Sequence, residues 1–321
     1  MDANLILQGL GTWLLAPMSF FSFLGTEQFY LFIAPAIFWC LDAGLGLRLG
    51  LGLAVSGSVN SILKLAFHSP RPYWVSEQVQ AFTAETSFGL PSGHAQNAVV
   101  VWGLLAAWIN KTWAWIVAIL LMLMIGLSRL YLGVHFLGDV LVGWLVGALI
   151  LWAFLRLERP LLAWLIRRPI SQQVLAALAF SLGLVLLGYL ARLALGEWQT
   201  PEAWITLARR TPEAAEPNPL GVSGLVSMAG VFFGMALGGI LLKQQGWFNA
   251  GGPALQRLLR YLIGLAGVLA IYTLLGAVFP HGENLAAYGL RYLRYGLIGL
   301  WIAYLAPWIF IRLKLAQPVS G

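Results

Sequence analysis

Cysteine is almost absent from this sequence of 321 residues. Cys40 is the one cysteine, and it lies within an apolar stretch. One thiol cannot form a disulfide within the chain, and it cannot build a metal site held by several thiolates. We therefore interpret Cys40 as a small, buried hydrophobic residue.

Charged residues are also scarce. Asp, Glu, Lys and Arg make up 10% of the chain, whereas a soluble domain carries roughly 25%. The composition is 60% hydrophobic and the mean hydropathy is +0.81, which indicates a polytopic membrane protein. Basic loops of such a protein explain the net charge of +7, so we predict no nucleic-acid partner.

Apolar runs account for most of the chain. A membrane-spanning helix needs about 20 mostly apolar residues, and some of the runs reach that length only with their flanks. We predict an all-α bundle, with a core of about five to six helices followed by about four further membrane-spanning helices. The runs are Phe29–Leu41, Gly50–Phe67, Ala95–Ile109, Trp113–Leu127, Leu137–Leu155, Val174–Leu193, Val222–Leu242, Leu258–Val278 and Leu290–Ile311.

The N-terminal stretch Leu5–Leu24 is apolar but is interrupted by glycine, proline and serine. It could span the membrane or lie along the interface, and we favour the interface. No Lys or Arg precedes Arg48. The stretch therefore lacks the basic start of a signal peptide, and we expect no cleavage.

Basic residues concentrate in alternate loops. If the runs cross in turn, one side receives Arg48, Lys111, Arg156, Arg159, Arg167, Arg168, Lys243, Arg257, Arg260, Arg312 and Lys314. The positive-inside rule makes that side cytoplasmic. The other side receives few basic residues outside the motifs described below, namely Arg192, Arg209, Arg210, Arg291 and Arg294. We predict an integral protein of a bacterial inner (plasma) membrane.

The basic segment Arg156–Ser171 divides the chain, because every residue with evident chemistry precedes it. We predict a core over residues 1–169 and a C-terminal transmembrane extension over residues 170–321, whose role the sequence does not reveal. His281 falls in a short loop of the extension, and we expect a structural role for it. Glycines in the extension predict close helix packing, because small residues let backbones approach in lipid. They are Gly224, Gly230, Gly234, Gly238 and Gly239.

Three polar clusters lie at helix ends in the first half: Lys64 with Arg71, the stretch "PSGH" from Pro91 to His94, and the stretch "SRLYLGVHFLGD" from Ser128 to Asp139. In the topology above, all three emerge on the non-cytoplasmic face. Charges at membrane depth cost about 2.5–3.5 kcal/mol each, so they are usually paired or functional. Three cations (Lys64, Arg71 and Arg129) would meet one carboxylate, Asp139. Such a cluster predicts an anion site, since Arg and Lys both suit phosphate oxygens.

The remaining residues of the clusters suggest nucleophilic chemistry. His135 and Asp139 are four residues apart, so on a helix they share a face and the carboxylate can orient the imidazole. That pattern is typical of an activated nucleophile. His94 is free to act as a general acid, and the backbone amides of Ser92 and Gly93, at a helix start, would add to the anion site.

These clusters resemble the motifs of the type 2 phosphatidic acid phosphatase family, which shares its site with vanadium-dependent haloperoxidases. The resemblance covers about the first 160 residues and matches every signature position. The stretch "LGTEQFYLFIAPAIFWCLD" is also similar to lipid phosphatases, though less specifically. The matched residues are Lys64, Arg71, Pro72, Pro91, Ser92, Gly93, His94, Ser128, Arg129, His135 and Asp139.

The resemblance implies that His135 attacks phosphorus, oriented by Asp139, and that His94 protonates the leaving group. It also implies phosphoryl binding by Lys64, Arg71, Ser92, Gly93 and Arg129, with no metal and no other cofactor. The substrate would be a membrane lipid phosphate: a polyprenyl, phosphatidic acid, phosphatidylglycerophosphate or sphingoid-base phosphate.

Other interpretations stay open from the residues. A phosphotransferase could use the same intermediate, a non-catalytic binder or transporter could use the same anion site, and a sugar phosphate could replace the lipid. The sequence makes no prediction of the oligomeric state.

Overall fold

The computed structural model describes residues 1–211 and 216–319. They form helices and no β-sheet; one isolated bridge pairs Phe248 with Pro318. The all-α prediction is confirmed. The helices are α1 (Asp2–Gly9), a 3₁₀ turn (Thr12–Leu14), α2 (Leu15–Phe23), α3 (Glu27–Cys40), α4 (Ala43–Phe67), α5 (Pro72–Val75), α6 (Gly93–Ile109), α7 (Thr112–Tyr131), α8 (Leu137–Leu165), α9 (Ile170–Ala194), α10 (Glu202–Ala208), α11 (Ser223–Gln244), α12 (Ala254–Val278), α13 (Leu285–Leu300), a π-helical turn (Trp301–Leu305) and α14 (Ala306–Arg312).

Each predicted apolar run lies on a helix, and seven helical segments are long and apolar enough to cross a membrane. Two of the predicted runs form shorter helices, α3 with 14 residues and α6 with 17. The N-terminal stretch forms two helical pieces with a 95° bend between them. The interfacial interpretation of this stretch stays a prediction, as does the orientation of the chain.

The described chain divides into two compact units whose bounds cut through α3, α4, α8 and α9. The first comprises Met1–Tyr30, Val59–Trp152 and Leu187–Val222; the second comprises Leu31–Ser58, Ala153–Leu186 and Ser223–Gly321. The sequence-based boundary after residue 169 follows neither set of bounds and stays a prediction.

In the first unit, α8 packs directly against α6. A Cβ atom at Gly143 would lie 2.6 Å from the Ser92 carbonyl oxygen, and one at Gly147 would lie 2.6 Å from the Gln96 carbonyl oxygen. Side chains larger than hydrogen would push the helices apart. This close approach holds the start of α6 beside the start of α8, where the polar clusters lie.

In the second unit, α11 packs against α13 through glycines. Cβ atoms at Gly230 and Gly234 would meet the Tyr292 and Gly296 carbonyl groups, and one at Gly238 would meet Ala303. Gly239 approaches Leu47 of α4. The packing role predicted for these four glycines is confirmed, but it is wrong for Gly224, which has no atom within 4 Å of its Cβ position.

We expect Gly147→Ala to lower the melting temperature, because overpacking a close helix contact costs about 1–3 kcal/mol. The control is Gly138→Ala on the same helix, where a Cβ atom would meet nothing within 4 Å. Thermal unfolding in one detergent compares the two variants. Equal melting temperatures would contradict the close-packing role of Gly147.

Candidate active site

All eight residues predicted for the site lie in the first unit. Lys64 lies near the end of α4, and Arg71 lies in the following loop. His94 lies in the first turn of α6, which Ser92 caps. Arg129 lies in the last turn of α7, and His135 and Asp139 flank the start of α8. The loops after α4 and α7 and the start of α6 therefore bring the three clusters together.

Arg71 connects these segments. Its side chain is fully buried, and its guanidinium donates to the carbonyl oxygens of Ser87 at 2.7 Å and Val134 at 2.9 Å. Its Nη1 also lies 3.2 Å from His135 Nε2. Main-chain acceptors thus fix the cation directly beside the imidazole.

His135 does not lie on a helix, which corrects the geometry assumed from its spacing. It precedes α8 by two residues, and Asp139 lies in the first turn of that helix. The predicted contact still forms: Asp139 Oδ2 is 3.2 Å from His135 Nδ1 and also accepts a hydrogen bond from the Phe136 amide at 2.9 Å. The Asp139 carboxylate therefore both caps the start of α8 and orients the His135 ring.

The environment keeps the His135 ring neutral. Burial lowers the pKa of His135 well below its ordinary value, and the nearby charges of Arg71, Arg129 and Lys64 lower it further. Nδ1 is directed at Asp139, so the Nε2 lone pair faces Arg71. A phosphoryl group bound to Arg71 would therefore lie next to Nε2. A neutral ring with an oriented lone pair is what nucleophilic attack requires.

The start of α6 differs in one respect from the prediction. The Ser92 amide donates to the Asp139 carbonyl oxygen at 2.9 Å, so the expectation that this amide is free is wrong. The Ser92 side chain instead caps α6 through the Ala95 amide. Among the residues that the structure describes, the amides of Gly93 and His94 have no hydrogen-bond partner, and they remain available for an anion.

Glu85 is a site residue that the sequence analysis did not identify. Its carboxylate binds Arg129 Nη2 at 2.5 Å and lies 3.9 Å from Arg71 Nη2. Burial would raise the pKa of Glu85, but the charges of Arg71 and Arg129 outweigh burial and lower it to about 2. The ionised carboxylate of Glu85 is therefore hydrogen-bonded to Arg129, the same side chain that is predicted to bind phosphoryl oxygens. No motif marks Glu85, so its position in the sequence gave no signal.

Two further contacts hold the site loops. Asn4 on α1 is fully buried and donates to the carbonyl oxygens of Leu130 at 2.8 Å and His135 at 3.0 Å. Lys64 donates to the Ser87 hydroxyl at 2.8 Å. Asn4 directly precedes the apolar stretch Leu5–Leu24, and a polar residue at that position is the one signal that could have identified it.

The loop between α9 and α11 also packs on the site loops. Rings of Trp198 and Phe88 lie 5.2 Å apart, and Trp204 stacks near Trp74 at 5.8 Å. Arg210 pairs with Glu77 at 2.7 Å. This segment was predicted to belong to the extension, yet it covers the loop that carries Arg71.

Comparisons with known proteins give two family matches. The family model for the PAP2 superfamily matches residues 45–161. A second family model, described as "PAP2 superfamily phosphatase, transmembrane extension", matches residues 226–318.

Three curated relatives are each similar to part of the chain. Phosphatidylglycerophosphatase B of Bacillus subtilis is 30% identical over 151 residues, which is 43% of this chain and 72% of that protein. An undecaprenyl-diphosphatase of Sulfolobus acidocaldarius is 28% identical over 36% of this chain and 55% of its own length. Lipid phosphate phosphatase delta of Arabidopsis thaliana is 27% identical over 41% of this chain and 36% of its own length.

Two solved structures are similar. The PAP2 type phosphatidylglycerolphosphate phosphatase from Bacillus subtilis has a TM-score of 0.43 at 26% identity, covering 50% of this chain and 86% of that one. LpxE of Aquifex aeolicus has a TM-score of 0.43 at 24% identity, covering 48% and 93%.

We expect Glu85→Gln to strengthen inhibition by inorganic phosphate, because the Glu85 carboxylate competes for Arg129. A hydrogen bond to a charged group contributes about 1.5–3 kcal/mol, so the inhibition constant should fall about tenfold or more. The low pKa keeps Glu85 ionised at every pH above about 3, so the difference should persist across the neutral range.

The control for this prediction is Glu77→Gln, which removes a carboxylate from the same loop but pairs with Arg210 at 2.7 Å. Competition kinetics with phosphate measure both variants. An unchanged or higher inhibition constant in Glu85→Gln alone would refute the competition.

Proposed function

The chain belongs to the PAP2 superfamily, and we propose that it is a phosphatase that releases inorganic phosphate from a membrane lipid phosphate through a phosphohistidine. The observation that carries this proposal is the His135 ring, held by Asp139 on one nitrogen and facing Arg71 with the other. A site that only bound or transported a phosphate would not need an oriented, neutral histidine.

The proposed reaction has two steps. His135 Nε2 attacks phosphorus, forming a P–N bond while the P–O bond to the lipid breaks, and the leaving oxygen takes a proton from His94. Water then attacks the phosphohistidine, its proton passes to His94, and the P–N bond breaks to release phosphate. Asp139 stabilises the positive charge that the His135 ring gains when the P–N bond forms and loses when that bond breaks.

Charge stabilisation falls to the cations. Arg71 already lies within hydrogen-bond distance of His135. Arg129 would release the Glu85 carboxylate and bind phosphoryl oxygens in its place. Lys64 and the free amides of Gly93 and His94 complete the set. Preorganised donors of this kind are usually the largest contribution to catalysis. We infer that these cations supply the charge that a metal ion would otherwise provide.

A lipid substrate is supported by the position of the site and by the relatives. Lys64, Arg129 and Asp139 lie at the ends of long apolar helices, so a phosphate could bind while its chain remains in lipid. The names of the three curated relatives all specify phosphatases of lipid phosphates or diphosphates. With the orientation given by the basic loops, the site would face the non-cytoplasmic side of a plasma membrane.

The first test concerns the phosphoenzyme. His135→Ala should form none, because the attacking nitrogen is gone. His94→Ala should still form it from an aryl phosphate with a good leaving group, but lipid turnover should fall about 10²–10⁴-fold, the usual contribution of a general acid.

Acid-quench labelling with a ³²P substrate measures the intermediate. His68→Ala is the control, since that ring is exposed and lies against Ala66 and Phe88, away from the residues assigned to the reaction. Normal turnover by His135→Ala would contradict the mechanism.

The second test concerns the substrate. Purified protein in detergent, with a chelator present, is assayed for phosphate release from phosphatidic acid, phosphatidylglycerophosphate, polyprenyl diphosphate and sphingoid-base phosphates of several chain lengths. Each methylene kept in an apolar setting is worth about 0.8 kcal/mol, so kcat/KM should rise steeply with chain length and then level off.

Each other outcome of this assay identifies a different error. Equal or better turnover of glucose phosphate would overturn the lipid substrate, activity only after magnesium is restored would overturn metal independence, and phosphate transferred to an acceptor without release would indicate a phosphotransferase.

A further inference from the structure

A cavity of about 420 Å³ lies in the second unit, where α12 ends and α13 begins. Its walls include Tyr272 and Gly276 from α12, His281 from the connecting loop, and Arg291, Arg294 and Tyr295 from α13. Small-molecule sites commonly have volumes of roughly 300–1,000 Å³. None of the residues assigned to the proposed catalytic reaction belongs to this cavity.

Arg294 is the central side chain of the cavity. It is 7% exposed, and its guanidinium lies over the rings of Tyr272 at 5.3 Å and Tyr295 at 5.1 Å. Its Nε atom is buried and has no hydrogen-bond partner among the described residues. Gly276 leaves room for the cation, since a Cβ atom there would lie 2.8 Å from Nη1. The aromatic rings thus hold a buried cation whose Nε–H donor is unused.

Arg291 lies one turn earlier on the same face of α13 and brings a second cation to the cavity. No acidic side chain is among the cavity's lining residues, and Glu283 of the connecting loop is not one of them. Buried charges are normally paired with an opposite charge or a ligand. The buried guanidinium of Arg294 therefore has no anionic partner among the lining residues, and the partly buried Arg291 adds a second positive charge beside it.

We propose that this cavity binds a phosphate group, the anion that matches paired guanidinium donors best. The group could belong to the headgroup of a membrane lipid or to free inorganic phosphate. The two helices that form the cavity also carry exposed apolar side chains: Leu274 and Val278 of α12 and Leu285 of α13 are 67%, 78% and 88% exposed. In a membrane protein such a surface faces lipid, so an acyl chain could lie against it while the phosphate reaches Arg294. The site gives the transmembrane extension a ligand of its own.

Variants of Arg291 test the proposal in the full-length protein. Arg291→Gln removes one cation, and Arg291→Lys is the matched control that keeps the charge. Equilibrium dialysis with ³²P-phosphate in detergent should show one phosphate site fewer per chain in Arg291→Gln, because its affinity falls about tenfold or more when a charged donor is lost. Both variants should still bind phosphate at the catalytic site, so that site accounts for the binding that remains.

A second arm uses vesicles of phosphatidylcholine with and without phosphatidylglycerol. After extraction, native mass spectrometry should find about tenfold less phosphatidylglycerol retained by Arg291→Gln than by wild type or Arg291→Lys. If Arg291→Gln loses only lipid binding, the site belongs to a lipid headgroup; if it loses only phosphate binding, the site belongs to free phosphate. Loss of both supports a site that recognises the phosphate group itself.

Unchanged binding in both arms would overturn the proposal. Arg294→Gln should lower phosphate affinity more than Arg291→Gln does, and it is used if its melting temperature shows that it folds. Arg291 is the safer position because its side chain is only partly buried, so the result does not depend on folding of the Arg294 variant.

Discussion

Arg71 carries a full charge in a position without solvent exposure, and an ion taken out of water costs several kcal/mol unless other groups compensate it. The compensation comes from carbonyl oxygens of Ser87, Phe88 and Val134 and from the Glu85 carboxylate at 3.9 Å. These acceptors belong to two different loops. One guanidinium therefore fixes the loop before α6 against the loop before α8, and the position of His135 depends on that bond network.

The close helix contacts serve the same arrangement. Gly143 and Gly147 let α8 approach the backbone of α6, and Gly89 lets its loop pass Pro70, whose carbonyl oxygen would lie 2.6 Å from a Cβ atom. The Ser92 amide then reaches the Asp139 carbonyl oxygen. The apolar scaffold thus determines the distances among the polar groups, because backbones that approach this closely leave few alternative positions.

Two segments outside the motifs support the site. Asn4 and Gln8 of α1 donate to main-chain oxygens in the last turn of α7 and in the loop that follows it. Trp198 and Trp204, far along the chain, cover the loop that carries Arg71. Both segments satisfy or shield backbone groups that would otherwise lie unpaired beside a charged site, which is costly in an apolar environment.

The sequence by itself determined the all-α class, the helical nature of the apolar runs and the convergence of Lys64, Arg71, Arg129, His135 and Asp139. Long apolar runs can form nothing but helices in lipid, and fixed spacings place residues at helix ends. It did not determine that His135 lies before α8 or that Glu85 binds Arg129. It also did not determine that Arg294 Nε has no hydrogen-bond partner among the described residues while two tyrosine rings hold its guanidinium. Those contacts join residues of separate segments, and no local periodicity records which side chains meet. Only the packing of the helices decided them.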